Sequence, residues 1–336
     1  MAWIWANSCI GGAMRVMVTG GIGVVGAFVV RKLLARGIEP IVCDLRADFS
    51  LLPDLVDRLE FVAADVTDFN AVLGMLRTFG VDRVIHLAAF IDPDMDMQPF
   101  KAFIVNARGT ANMLEAARRA EITRFVFSSS RAVYGSTPRG VGEPGYQPLD
   151  EEHPKRPVKA YDVTKLAAEQ LGQVYRDAFD MEFSALRFAG IYGPGKQARH
   201  GKMSLRSNLV ENPVEGKPVC VRHGGDQLDD MIYVDDVAEA LVQATLAERL
   251  SHGAYNIASG KGQTIRQFAD AVRAAVPGAD IEVGPGLNPL GFDVHYYAIF
   301  DISRARKDFG FAPKFDLVSG VRDYVERLRT LDLSKT

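Results

Sequence analysis

The first half of the chain alternates short apolar runs, rich in β-branched residues, with longer stretches in which apolar residues recur at helical spacing. This alternation is typical of a parallel β-sheet whose two faces are covered by helices. It predicts strands over 15–19, 38–44, 59–64, 83–87, 124–129 and 183–188. The helices predicted between them cover 25–35, 70–79, 99–120 and 163–179.

The pattern changes near residue 190, where Gly and Pro become frequent, strands shorten, and a helix predicted over 234–248 stands alone. The change predicts a sheet domain over 14–188, to which parts of the later chain return, and a smaller lobe mainly over 189–330. Residues 1–13 are apolar but too short to cross a bilayer, and we assign this extension no role.

Composition narrows the classes of function. The 336 residues include 39 Lys plus Arg and 42 Asp plus Glu, for a net charge of −3. Bulk charge therefore does not hold this chain to nucleic acid or to an anionic membrane. Its cysteines, Cys9, Cys43 and Cys220, are too scattered for a disulfide framework or a metal cluster. We expect no metal and a reducing, cytoplasmic setting.

A glycine-rich segment with the spacing Gly20-xx-Gly23-xx-Gly26 follows the first predicted strand and opens the first helix. Glycine permits a tight turn, lets a pyrophosphate approach the backbone, and lets the helix pack on the strand. The helix N-terminus, from Val24 onward, offers free N–H groups and partial positive charge to phosphates. In this strand–loop–helix context the segment predicts a dinucleotide site.

Asp44, at the end of the second predicted strand, indicates the kind of dinucleotide. A carboxylate at this place accepts hydrogen bonds from the adenosine ribose hydroxyls and repels a 2′-phosphate, which favours NAD over NADP. Arg46 lies close enough to weaken that preference.

A candidate reaction centre contains Tyr161 and Lys165, which are one turn apart on the same helical face. A tyrosine hydroxyl titrates at about 10, so a general base at neutral pH needs about 4 kcal/mol of preferential phenolate stabilisation. The lysine ammonium and a positive nicotinamide ring can supply it if water is partly excluded. Upstream, Ser128, Ser129 and Ser130 end an apolar strand at the edge where open parallel sheets bind ligands.

Together these motifs resemble the extended short-chain dehydrogenase/reductase family, of the NAD-dependent epimerase/dehydratase type. The resemblance runs from about residue 14 to about residue 328 and includes the segments ADV, VIHLAA, VNARGT, SSSRAVYG, LRF, IYGPG and IYVDDVA. It implies an α/β fold: a Rossmann-type doubly wound parallel sheet with a smaller mixed α/β substrate-binding lobe toward the C-terminus.

The resemblance also implies roles for individual residues. Tyr161 would take the proton of a substrate hydroxyl while the carbon gives hydride to nicotinamide. Ser130 would orient the oxygen, and Lys165 would lower the tyrosine pKa and hold the nicotinamide ribose. His86 is expected to be a packed strand residue. The residues implied in NAD binding are Gly20, Gly23, Val24, Gly26, Asp44, Asp65, Val66, Leu87, Ala88, Ala89, Asn106, Ser128, Tyr161, Lys165 and Phe188.

Three positions depart from the pattern of nucleotide-sugar enzymes in this family. Ala189-Gly190 stand where an Asn is usual, Asp229 stands where an Arg is usual, and 290–293 lack a further Arg. In the family the Asn and Arg side chains at these positions bind the nucleotide diphosphate. An Asp beside a diphosphate replaces attraction by repulsion, and each charge-assisted bond lost costs about 1.5–3 kcal/mol. The alternative is a local misalignment, with other basic residues compensating.

A basic stretch after residue 195 could bind a carboxylate or a phosphate in place of these side chains. The alternative is that the stretch is simply exposed to solvent. The residues predicted for substrate binding are Ser130, Gly190, Arg199, His200, Lys202 and Arg206, with Lys196 as a further basic neighbour. Arg131-Ala132 replace the Asp-Glu pair of the family's dehydratases, which disfavours dehydration by that route.

We therefore expect an NAD-dependent oxidoreductase that transfers hydride between NAD and a carbinol carbon of a sugar-like or polyhydroxy substrate. The alternative is a UDP-hexose type 4-epimerase with tightly bound NAD. A non-catalytic NAD-binding protein is disfavoured, because the tyrosine, the lysine and the serine are all present. The resemblance also implies a homodimer paired through the helices over 99–120 and 163–179.

Overall fold

Seven parallel strands form the main sheet in a computed structural model that describes residues 14–91, 95–138, 142–197, 205–291 and 293–331. The strands are β1 (Val16–Thr19), β2 (Ile41–Asp44), β3 (Glu60–Ala63), β4 (Arg83–His86), β5 (Arg124–Ser130), β6 (Glu182–Phe188) and β10 (Ala254–Ile257). Their order across the sheet is β3-β2-β1-β4-β5-β6-β10. The order reverses direction between β1 and β4, which opens a ligand crevice beyond the carboxyl ends of these strands.

Helices cover both faces of this sheet. The helices up to residue 246 are α1 (Val24–Ala35), α2 (Phe69–Thr78), α3 (Pro99–Ala102), α4 (Gly109–Arg119), α5 (Ala160–Phe179), α6 (Leu205–Val214) and α7 (Val234–Leu246), of which α6 packs in the later lobe instead, against β8 (Val219–Val221) and two C-terminal helices. Helices α1 and α7 pack together on one face, and α2, α4 and α5 pack on the other. Each face has its own cluster of buried apolar side chains. The predicted α/β fold with a doubly wound parallel sheet is confirmed.

The later chain builds smaller sheets and also adds α7 and the edge strand β10 to the main sheet domain. The further strands are β7 (Gly190–Tyr192), β8 (Val219–Val221), β9 (Leu228–Tyr233), β11 (Gly262–Thr264) and β12 (Ile281–Val283). They form the sheets β11-β9-β7 and β12-β8. The further helices are α8 (Ile265–Ala275), α9 (Ser303–Phe309) and α10 (Leu317–Thr330). No helix in the described ranges is long and apolar enough to cross a membrane.

The helix predicted over 99–120 contains a change of helical type. Between α3 and α4 the chain makes a π-helical turn, Phe103–Arg108. This wider turn carries Asn106, whose amide accepts from the Phe90 N–H at 2.7 Å and donates to the Phe90 carbonyl at 3.0 Å. The turn thereby fixes the segment after β4, at the carboxyl edge of the sheet.

Candidate active site

The glycine loop between β1 and α1 has no room for a side chain at Gly20 or Gly26. A Cβ on Gly20, whose φ is +67°, would lie 2.8 Å from the backbone nitrogen of Ala88. A Cβ on Gly26 would lie 2.2 Å from the Gly20 carbonyl oxygen. Helix α1 begins after Gly23 with no side-chain cap and no acidic residue in its first turn. The loop backbone and the first N–H groups of α1 therefore fit a pyrophosphate.

The other predicted cofactor residues lie at the carboxyl edge of the main sheet, because the parallel strands all end on the same side. Asp44 ends β2, Phe188 ends β6, and Ser128 lies near the end of β5. Asp65-Val66 follow β3, with Asp65 exposed and Val66 buried, and the segment Leu87–Ala89 follows β4. A carboxylate and small or apolar side chains beside the glycine cradle fit an adenosine and its ribose.

Helix α5 contacts the serine-rich end of β5 at three successive turns. The contacts are Tyr161 with the Ser130 side chain, Lys165 with the Ser128 carbonyl, and Glu169 with the Ser129 hydroxyl. The Lys165 Nζ donates to the Ser128 oxygen at 2.7 Å and lies 5.6 Å from the centre of the Tyr161 ring. The structure thus brings the predicted Ser130, Tyr161 and Lys165 together beside the cofactor edge.

Burial dominates the acid–base properties of this centre. It raises the pKa of Tyr161 to about 12, although the hydrogen bond with Ser130 acts in the opposite direction. It lowers the pKa of Lys165 to about 7, while the Glu169 carboxylate favours the charged ammonium. In the protein chain by itself, the neutral phenol is therefore the stable form of Tyr161 at neutral pH.

A buried ion pair that the sequence analysis missed lies behind the reaction centre. The Arg187 Nη2 is 2.7 Å from Glu169 Oε2, and Arg187 Nη1 donates to the Tyr134 hydroxyl at 2.9 Å. The Tyr134 hydroxyl donates in turn to Asn256 Oδ1 at 2.7 Å. This network ties α5 to β5, β6 and β10. Its signal was the carboxylate one turn beyond Lys165, together with the arginine of the LRF segment.

His86 is fully buried and connects β4 to its neighbours, as expected for a packed strand residue. Its Nδ1 lies 2.7 Å from Thr19 Oγ1, and its Nε2 lies 3.1 Å from Thr110 Oγ1. Burial lowers the pKa of His86 to about 3, so the ring is neutral at physiological pH. The contacts fix the end of β1 immediately before the glycine loop.

On the substrate side, Asp229 is buried between two arginines. Its carboxylate forms ion pairs with Arg131 and with Arg206. A Cβ on Gly190 would lie 3.0 Å from the Arg206 guanidinium, so the glycine that replaces the usual Asn makes room for this group. The expected repulsion by a bare Asp229 is therefore wrong for this chain, because two guanidinium groups more than offset the carboxylate.

The rest of the predicted basic stretch is only partly described. Arg199, His200 and Lys202 lie outside the described residues. The Lys196 Nζ donates to the Ile191 carbonyl at 2.7 Å. Burial, with a further contribution from the charges of Arg206 and Arg131, lowers the pKa of Lys196 to about 7.

The family assignment comes from comparison with known proteins. The family model of the NAD-dependent epimerase/dehydratase family matches residues 16–258. The chain belongs to this family. Its predicted fold, NAD cofactor and enzymatic hydride-transfer chemistry agree with that membership.

Relatives match nearly the whole chain. UDP-glucose 4-epimerase of Mycolicibacterium smegmatis is 31% identical over 94% of this chain and 99% of its own length. UDP-glucuronic acid decarboxylase 1 of Arabidopsis thaliana is 30% identical over 96% of this chain and 71% of its own. The structure of Thermus thermophilus UDP-glucose 4-epimerase in complex with NAD is 30% identical, with a TM-score of 0.79 over 94% of this chain and 99% of that one.

The buried Lys165 makes the free energy of unfolding depend on pH. Its pKa is about 7 in the folded protein and about 10.4 in an unfolded chain. Between these values the unfolded chain binds the additional proton, so this residue makes stability rise with pH. We expect Lys165→Met to be more stable than the wild type at pH 6.5, with the advantage shrinking steadily to pH 9, in urea titrations.

The exposed Lys307 supplies the matched control, since it lies on the surface of α9. Lys307→Met should change the free energy of unfolding by an amount that is constant across the same pH range. If the difference in free energy of unfolding between Lys165→Met and the wild type does not vary with pH, the pKa of Lys165 is not lowered by burial.

Proposed function

We propose that this protein oxidises a carbinol carbon of a sugar-like substrate, with NAD as hydride acceptor and Tyr161 as general base. The observation that carries the proposal is the contact of Tyr161 with Ser130, with Lys165 one turn away, beside the glycine loop. One edge of the sheet thus holds Tyr161 as the base, the Ser130 hydroxyl to orient the substrate oxygen, and the glycine loop to bind the cofactor. Residues 14–188 would supply the NAD domain, and 189–330 mainly the substrate lobe.

The chain binds and orients the cofactor through the edge residues described above. The glycine loop and the N-terminus of α1 receive the pyrophosphate, and Asp44 accepts hydrogen bonds from the adenosine ribose. Asp65-Val66 would contact the adenine, and Lys165 would hold the nicotinamide ribose. When bound, NAD supplies a hydride acceptor and the positive charge of its nicotinamide ring.

Proton transfer depends on positive charge added to a buried phenol. Burial alone keeps Tyr161 protonated, and its Ser130 hydrogen bond favours the phenolate. Positive charge near the ring strengthens that preference in a site from which water is partly excluded. Tyr161 then accepts the proton of the substrate hydroxyl, while Ser130 holds the same oxygen in place.

A second candidate function is 4-epimerisation of a nucleotide sugar, and the names of the relatives favour it. The sequence at Gly190 and Asp229 weighs against it, because the Asn and the Arg that the family resemblance leads us to expect for the diphosphate are absent at these two positions. The two functions differ in outcome. Oxidation accumulates NADH, whereas epimerisation returns the hydride and interconverts two sugars without net NADH.

Tyr161→Phe tests the general base. We expect turnover to fall by at least about 100-fold, because the phenyl ring cannot accept the proton, while NAD binding measured by calorimetry is retained. Tyr175→Phe is the matched control on the same helix, where the hydroxyl donates to Glu115 at 3.0 Å, and it should keep its turnover. Unchanged turnover in Tyr161→Phe would contradict the assignment.

We also propose a homodimer that pairs through α3, α4 and α5, in a reducing, cytoplasmic setting. The support for pairing is a set of large apolar side chains exposed on or beside these helices. Their exposed fractions are Met97 83%, Phe100 77%, Phe103 54%, Val163 47% and Phe179 49%. The support for the setting is that Cys43 and Cys220 are free thiols.

Phe100→Glu tests the pairing. We expect the wild type to sediment as a dimer and Phe100→Glu as a monomer, because a carboxylate in an apolar interface loses its hydration. Val318→Glu is the control, since Val318 is an exposed apolar residue on α10, away from these helices. A monomeric wild type would contradict the proposal.

A further inference from the structure

Arg131 and Arg206 both form ion pairs with Asp229, so one carboxylate of the protein balances only one of two positive charges. The side chains of Arg131 and Arg206 are 12% and 14% exposed, and that of Asp229 is 2% exposed. Arg131, Arg206 and Asp229 together leave a net charge of +1 in a largely buried place, and Lys196 is a further basic group near the two arginines. Burial of unbalanced charge is unfavourable unless a partner of opposite sign is present.

The arginines also retain donors that can bind a partner. A guanidinium has five N–H donors, and Asp229 receives a hydrogen bond from one nitrogen of each arginine. Among the described residues, the Arg206 Nε is buried and has no hydrogen-bond partner. A small cavity is lined by Arg206 and Asp229, with Tyr297 and Leu290 on its walls. The unpartnered donor and the unbalanced charge therefore belong to one cluster of side chains, of which Arg206 and Asp229 line the cavity.

The position of Arg131 relates this site to the reaction centre. Arg131 directly follows Ser130, which contacts Tyr161. The residue that binds Asp229 therefore comes directly after the residue that contacts Tyr161, at the end of β5. Gly190 provides the space in which the Arg206 guanidinium packs.

Charge and shape favour a carboxylate over a diphosphate as the bound anion. A single carboxylate balances the net charge of +1, and its planar shape matches the fork of a guanidinium. A diphosphate carries more negative charge than these three side chains balance. Asp229 acts as a positioning residue, because it holds both guanidinium groups in one place.

We propose that the substrate is a sugar acid whose carboxylate is bound by Arg131 and Arg206. This proposal rests on the proposed oxidoreductase function. In the reaction the carbinol C–H bond breaks and its electron pair leaves with the hydrogen as hydride to NAD. The hydroxyl proton goes to Tyr161, and the C–O bond becomes a carbonyl. The carboxylate is unchanged, so the product is a keto sugar acid and NAD is the two-electron oxidant.

The first experiment compares matched substrates with the NAD-loaded wild type. NADH formation is followed with C4 to C6 aldonates and D-glucuronate, with the corresponding neutral aldoses and alditols, and with UDP-glucose. We expect kcat/KM for at least one acid to exceed that of its neutral counterpart by about 100-fold. Equal values for acids and neutral compounds, or a preference for UDP-glucose, would overturn the proposal.

The second experiment tests the arginines. Arg206→Met and Arg131→Met should raise KM for the preferred acid by about 10- to 100-fold, with a much smaller effect on its neutral counterpart. Arg206→Lys should restore part of the affinity, which also shows that the position tolerates substitution. Arg273 lies in an exposed ion pair on α8. As the control, Arg273→Met should leave KM unchanged for both the acid and its neutral counterpart. Equal losses for the acid and the neutral compound would count against a carboxylate site.

Ligand binding to NAD-loaded Tyr161→Phe separates this proposal from the proposed function. The preferred acid should raise its melting temperature and the neutral counterpart should not, even though this variant does not turn over. If acids stabilise Tyr161→Phe but the wild type makes no NADH, the carboxylate site stands and the oxidation is wrong. If neutral compounds stabilise it as well as acids do, the carboxylate site is wrong.

Discussion

The docking of α5 onto the end of β5 is the contact on which the whole reaction centre depends. At three successive turns, the helix forms hydrogen bonds with the Ser130 side chain, the Ser128 carbonyl and the Ser129 hydroxyl. The Glu169–Arg187 ion pair joins the same helix to β6. Breaking a buried ion pair by removing one partner generally costs about 3–5 kcal/mol. The pair therefore holds Tyr161 and Lys165 at fixed places relative to the carboxyl edge of the sheet.

Burial of the same centre shifts the pKa values of both of its titratable groups. A phenol and an ammonium in a site of low dielectric are both displaced toward their neutral forms. The protein supplies part of the compensation, through Ser130 at the phenol and Glu169 near the ammonium. In the proposed mechanism the remaining positive charge comes from the cofactor, which would couple proton abstraction to the presence of the hydride acceptor.

The main sheet was predictable because its strands are short apolar runs separated by helices, each visible within a few residues of sequence. β10 was harder, since Ala254–Ile257 becomes a sheet strand only by pairing with β6. The π-helical turn around Asn106 depends on a contact with Phe90, which local propensity does not encode.

In the candidate site, too, the motifs that are local in sequence were predictable and the contacts between distant residues were not. The motifs around Gly20, Ser130 and Tyr161 are local in sequence, and they predicted the residues that meet at the edge of the sheet. Asp229 stands 98 residues from Arg131 and 23 from Arg206. Its substitution for an arginine was visible in the sequence, but its two partners were not, because only the tertiary fold brings them together.

In the proposed mechanism, Tyr161 becomes a base only when the positive charge of NAD is added to the buried site. The direct test is a pH titration of tyrosine labelled with carbon-13 at Cζ, followed by NMR with and without NAD and assigned by comparison with Tyr161→Phe. We expect the pKa of Tyr161 to be about 12 in the protein alone and to fall well toward neutrality with NAD bound. A pKa already near neutrality without NAD, or one that NAD does not change, would contradict it.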